Sequence, residues 1–183
     1  MKSLRLNIRQ IVLMGMLVAI TIVLDIAFKF YQQGNGGSIN LAMVGLVLIS
    51  LSFSWWKTWF ATAIIFGILS ASLDGYVAYY VFDYALALSG FMIISIFRET
   101  ILKRQGLKSI GLLLITFSAA FLWRLSMHVI SGVLYFEVDW LGSLIYNVTY
   151  LLPSFIISLI VIFTLYFSNL PLVIRKLTTQ KML

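Results

Sequence analysis

Long apolar runs broken by short polar stretches set the pattern of this chain. Six runs approach the roughly 20 residues that an α-helix needs to cross a hydrocarbon core of about 30 Å. They cover about 10–31, 38–55, 57–75, 77–97, 109–135 and 142–169. None shows the period-two alternation of a barrel strand, and backbone groups in lipid must be satisfied within the spanning structure, so each run predicts a helix. The expected architecture is an all-α membrane protein: one six-helix transmembrane domain over residues 1–183.

Composition agrees with lipid as the solvent. Of the 183 residues, 62% are hydrophobic and only 10% charged, against about a quarter charged in a soluble domain. Mean hydropathy is +1.04. Cysteine is absent, which excludes a disulfide framework, a thiolate metal site and a cysteine nucleophile. The basic start before the first run resembles a signal peptide, but no small-residue cleavage site closes the run, so it reads as a retained first helix.

The formal charge of +7 would suit nucleic acid, but the basic residues fall in alternate loops. Lys2, Arg5 and Arg9 precede the first run and Lys57 separates the second from the third. Arg98, Lys103, Arg104 and Lys108 separate the fourth from the fifth, and Arg175, Lys176 and Lys181 follow the sixth. The other loops hold Asp74, Glu137 and Asp139, with Lys29 as the lone base near that face. The positive-inside rule then places both termini in the cytoplasm of a multi-pass bacterial plasma-membrane protein, with no nucleic-acid partner. Trp55, Trp56 and Trp59 around Lys57 read as anchors at the cytoplasmic rim.

Polar residues within the runs are costly in lipid and therefore informative. Asp25 and Lys29 stand four apart at the outer end of the first helix and predict an end pair. Gly15 and Ala19 form a small-xxx-small step, suited either to internal packing or to docking a partner subunit. The glycine-rich stretch 32–42 interrupts helix and reads as an exterior loop or a lid over a site. Asp83 lies inside the fourth helix beside Tyr84, and either pairs with Arg124 or faces a pocket for a cationic or amine-bearing ligand.

In the fifth helix Arg124, His128, Ser131 or Gly132, and Tyr135 share a face by spacing, with Phe136 next to Tyr135. The sixth begins with Tyr146, Asn147 and Tyr150, and Pro153 falls early, where a helix tolerates it best. All these positions, with Asp83, belong to the outer halves of their helices. One outward-facing polar and aromatic pocket is the expectation. One histidine and no cysteine build no ordinary zinc site, and no Walker loop, Rossmann fingerprint or Gly-x-Ser-x-Gly elbow is present. Neither enzyme activity nor a cofactor is expected.

Four segments together carry a family resemblance. GGSINLA (36–42), FDYALAL (82–88), RLSMHVISGVLYF (124–136) and SLIYNVTYLLP (143–153) resemble, in order, motifs of the thiamine-specific S-components of energy-coupling factor transporters. The resemblance implies a six-helix S-component bundle that binds thiamine or a related vitamin at its outer side. It also implies delivery inward with a transmembrane coupling protein and two ATPase subunits, which hydrolyse the ATP. By matched position it assigns Asp83, Tyr84, His128, Gly132, Phe136 and Asn147 to the ligand, to which the local reading adds Tyr135, Tyr146 and Tyr150. Gly15 and Ala19 match the step that docks the coupling protein.

The chain departs from the family pattern at several places. Asp83 stands where some members have Glu, Phe136 where tryptophan is common, Gly142 where some have a pocket tyrosine, and Ala85 where proline is usual. No tryptophan occurs between 31 and 42. These changes trim aromatic area and predict weaker binding or a thiamine precursor or analogue. The alternatives are an S-component for another small vitamin, or a stand-alone secondary carrier with Asp83 as its coupling residue.

Overall fold

The computed structural model describes residues 7–34, 36–103 and 106–179. Asn35 of the glycine loop, and Lys2, Arg5, Arg104 and Lys181 of the topology argument, lie outside the described residues. Helix α1 spans Ile8–Ile26, with the Asn7 side chain accepting from Gln10 N as its N-cap. A short antiparallel hairpin follows, β1 Tyr31–Gln32 against β2 Ser38–Ile39. Then come α2 (Ala42–Ser52), α3 (Trp55–Asp74), α4 (Val81–Lys103), α5 (Leu107–Phe136) and α6 (Trp140–Phe167). A last helix, α7, covers Leu170–Thr179.

Five of these, α1 and α3 to α6, are long and apolar enough to cross a membrane. Helix α2 is different. Its 11 residues rise only about 16 Å, and all but Leu48 are buried. It is the hub that the longer helices wrap, which is why it is apolar on every side and shows no amphipathic stripe. Gly45 makes this possible: a Cβ there would collide with the hydroxyl of Thr21, so α1 and α2 touch backbone to backbone.

Most boundaries differ from the hydropathy reading by a few residues, the fourth run reaching Lys103 instead of 97, and three have a local cause. The first run was expected to continue to 31 as helix, but α1 ends at Ile26 and its apolar continuation, Phe28 to Tyr31, turns into the hairpin, with Phe30 N donating to Ile39 O at 2.9 Å. The second run starts four residues late, because Asn40 accepts from Ala42 N at 3.0 Å and opens α2 there. The sixth ends at Phe167, and Asn169, left-handed at φ 70°, redirects the chain into α7. Hydropathy alone merges strand with helix when both are apolar.

Helices α3 and α4 each contain a π-helical stretch, Phe60–Phe66 and Val81–Leu86. The wider turn leaves backbone carbonyls without their usual i+4 partners, and in lipid these need substitutes. Tyr80 supplies one through its hydroxyl to Ala63 O at 2.8 Å. Trp123 Nε1 supplies another to Leu86 O at 2.7 Å. Trp123 sits so close to Gly90 that a Cβ there would lie 2.5 Å from the indole.

At the other end of the bundle, Lys57 is buried within α3 and its Nζ donates to Gln10 Oε1 at 2.6 Å, while Arg98 Nη1 donates to Ser52 O at 2.7 Å. The expected loop around Lys57 is therefore only Phe53–Ser54. Replacing Gly45 by valine should force α1 and α2 apart, costing about 1–3 kcal/mol and lowering the Tm of detergent-solubilised protein by about 5 °C. An unchanged Tm would contradict the close approach.

Candidate functional site

The hairpin, the last turns of α1, α3 and α5 and the first turns of α2, α4 and α6 meet at one end of the bundle. Between them lies a cavity of about 380 Å³. That end is opposite the basic loops, so the alternation of charge and the position of the cavity agree.

The π-helical turn of α4 brings Asp83, Tyr84 and Leu88 to this cavity together. Asp83 Oδ1 lies 3.0 Å from His128 Nδ1, and Arg124 Nε donates toward His128 Nε2 at 3.4 Å. One protonation pattern satisfies both contacts. Nδ1 carries the imidazole's proton and gives it to the carboxylate, while the bare Nε2 receives the guanidinium hydrogen. A neutral imidazole thus stands between a negative and a positive group. The direct Asp83–Arg124 pair weighed from sequence is not formed; the histidine bridges them.

Sequence spacing put Tyr135 on the same face of α5, and the structure places it elsewhere. The cavity follows the row Arg124, His128, Gly132, Phe136, each four residues on, which winds slowly around the helix. Tyr135 is 39% exposed and packs its ring on Tyr79 at 5.2 Å and Phe82 at 6.0 Å. It belongs to an outer aromatic cluster beside the cavity. Ser131 does face the cavity; it is 1% exposed and its hydroxyl has no hydrogen-bond partner.

Helix α6 supplies Tyr146, Asn147 and Tyr150, all three on the cavity wall. Asn147 is buried. Its Nδ2 donates to Ser143 O at 2.9 Å and to His128 O at 3.3 Å, and its Oδ1 accepts from Tyr150 at 2.6 Å. This amide ties α5 to α6 and fixes the tyrosine, leaving its oxygen with one free lone pair. Gly132 lets the helices approach, since a Cβ there would strike the hydroxyl of Ser143.

The glycine stretch forms the roof. Gly37 N donates to Tyr146 Oη at 3.2 Å, Gln33 Nε2 to Thr149 Oγ1 at 2.5 Å, and Asn40 N to Ser154 Oγ at 3.1 Å. Gly36 has φ 97°, and a Cβ there would meet the Tyr76 ring at 2.5 Å. At Gly37 a Cβ would meet the Tyr150 ring at 2.6 Å. Between plain loop and lid, the geometry is that of a cover pressed onto aromatic rings.

Among the cavity residues that escaped the sequence reading are Asp25, Asn40, Ser70 and Asp74. Asp25 was expected to pair with Lys29 at the helix end. Instead Lys29 Nζ pairs with Asp74 Oδ1 at 3.0 Å, because α1 ends at Ile26 and Lys29 no longer shares its face. Asp25 is 7% exposed and accepts from Asn40 Nδ2 at 2.7 Å and from Ser70 Oγ at 2.9 Å. The signal that could have found it is a carboxylate inside the first apolar run, which is costly in lipid.

The predicted docking step is also placed. Gly15 and Ala19 are exposed on α1, and a Cβ added at Gly15 meets no atom within 4 Å. Internal packing does not use this face among the described residues.

Comparison with known proteins adds the family. A thiamine transporter ThiT of Bacillus subtilis (strain 168) is 30% identical over 174 residues, a match covering 86% of this chain and 90% of that protein. The solved structure of ThiT from Listeria monocytogenes superposes with a TM-score of 0.72 at 23% identity, covering 92% of this chain and 99% of that one, and supports the fold. Residues 11–174, nearly the whole described chain, match the family described as thiamine transporter protein (Thia_YuaJ). The chain belongs to the thiamine transporter protein family.

Proposed function

We propose that this chain is the substrate-binding subunit of a vitamin importer, taking thiamine or a thiamine-like compound into the cavity at the outer end of its bundle. Its setting is the bacterial plasma membrane, as a multi-pass protein. The observation that carries the reading is the Asp83–His128–Arg124 chain lining a cavity beside the glycine hairpin in a member of this family. A volume of about 380 Å³ lies in the range of small-molecule sites, and the wall combines flat aromatic rings with a few directional polar groups.

The chemistry of thiamine suits that wall. Its aminopyrimidine offers an amino donor and ring-nitrogen acceptors on a flat ring, and its thiazolium carries a permanent positive charge. Asp83 has an oxygen left after meeting His128, and accepts from the amino group. The free lone pair of Asn147 and the hydroxyl of Tyr84 flank the same ring. Phe136 closes the side where the ring stacks. Passage of the vitamin beneath the hairpin segment would break hydrogen bonds that Gln33, Gly37, Ser38 and Asn40 make to α6.

The inward step belongs to partners. No nucleotide site is expected in this chain, so ATP hydrolysis falls to two ATPase subunits, joined through a transmembrane coupling protein that docks on the Gly15/Ala19 face of α1.

Two experiments test this. Calorimetric titration of the purified protein with thiamine should show saturable binding. His128→Ala should weaken it by about 10–100-fold, the loss of the imidazole's hydrogen bond to the charged Asp83 carboxylate, with Asp83→Asn at least as damaging. Unchanged affinity in both variants would put the ligand elsewhere. Separately, Gly15→Trp should leave thiamine binding intact and abolish co-purification with the coupling protein and ATPases. Thiamine uptake into liposomes by this chain alone would instead identify a stand-alone carrier.

A further inference from the structure

The cavity holds a carboxylate that the recognition scheme above leaves without a role. Three acids line it: Asp25, Asp74 and Asp83. Asp74 faces the ammonium Nζ of Lys29, and Asp83 faces Nδ1 of the neutral His128 imidazole, which Arg124 backs at its other nitrogen; the two first contacts are each 3.0 Å. Asp25 has no such contact. Its two partners, Asn40 Nδ2 and Ser70 Oγ, are neutral donors, and among the described residues no Lys, Arg or His nitrogen forms an ion pair with it. Arg124, the guanidinium on the cavity wall, donates to His128 and acts on Asp25 only through space.

A carboxylate that is 7% exposed near the end of a membrane-spanning helix is costly unless a positive charge meets it. Here two neutral hydrogen bonds fix its geometry without cancelling its charge, and the face it keeps free opens on the cavity. That is the arrangement of a site prepared for a cation in direct contact, which the described residues supply only at longer range, through Arg124 and Lys29. The placement by element adds direction. Asp25 of α1, Asn40 just before α2 and Ser70 of α3 form one wall, whereas Asp83, His128 and Asn147 form the α4–α5–α6 wall. A ligand with a hydrogen-bonding ring at one end and a permanent charge at the other can satisfy both walls at once.

We propose that Asp25 is the counter-charge for the ligand's fixed cation, so that the thiazolium of thiamine lies against the Asp25–Asn40–Ser70 wall while the aminopyrimidine is read by Asp83 and Asn147. This rests on the thiamine reading above and deepens it. It makes Asp25 the residue that selects a charged vitamin over a neutral compound of the same shape. Asp83 then reads hydrogen bonds rather than charge.

The test compares thiamine with 3-deazathiamine, a neutral isostere with carbon in place of the thiazolium nitrogen, by calorimetric titration of the full-length protein in detergent. Wild type should prefer thiamine. Asp25→Asn should weaken thiamine roughly tenfold or more while moving 3-deazathiamine by less than about twofold, which erases the preference. Asp25→Glu should keep it, and Asp83→Asn should weaken both ligands alike. If Asp25→Asn does not fold, Asp25→Ser, which retains an acceptor for Asn40, is read in the same way. A wild type with no preference for the cation overturns the proposal. So does equal weakening of both ligands by the Asp25 variants, since that marks a purely structural acid. Wild-type protein that binds no thiamine at all removes the parent reading instead, so the two failures are distinct.

Discussion

A single imidazole held between a carboxylate and a guanidinium organises the outer end of this bundle. In lipid, neither Asp83 nor Arg124 can stand alone. His128 lets each meet a partner without the two charges closing on one another, which would fill the cavity with an internal salt bridge. The carboxylate is satisfied at one oxygen and available at the other. The space between α4, α5 and α6 therefore stays open and polar while the rest of the chain packs as an ordinary apolar interior.

The surrounding structure serves that arrangement. The π-helical turn of α4 aims Asp83 and Tyr84 inward together, and the carbonyls it frees are met by Tyr80 and Trp123. Asn147 locks α6 against the backbone of His128, and so holds the imidazole's own helix in register. Gly36 and Gly37 allow the hairpin to lie flat on Tyr76 and Tyr150; any side chain there would lift the roof.

Much of this was legible in the sequence, and the misreadings have physical causes. Length and hydropathy located the spanning helices because lipid imposes one dominant constraint. The row through Arg124 and His128 pointed to the cavity because polar residues on one face of a buried helix have few uses. Hydropathy could not separate the strand at Tyr31 from the helix before it, nor show that α2 is a short hub, since both are simply apolar. Asp25 was misassigned for the same reason: its pairing with Lys29 required a helix that the hairpin had already ended. Tyr135 was misplaced because a four-residue row winds around a long helix, so a site residue there is found by following the row and not by a fixed angular sector.

The chain contains one histidine, so labelling it with ¹⁵N gives a signal free of overlap. The direct test is the ¹⁵N spectrum of His128 in the detergent-solubilised protein as thiamine is added. The account predicts a neutral imidazole protonated at Nδ1 in the empty protein, and a shift that saturates with the vitamin. An imidazolium in the empty protein, or a signal that does not move at saturating thiamine, would contradict it.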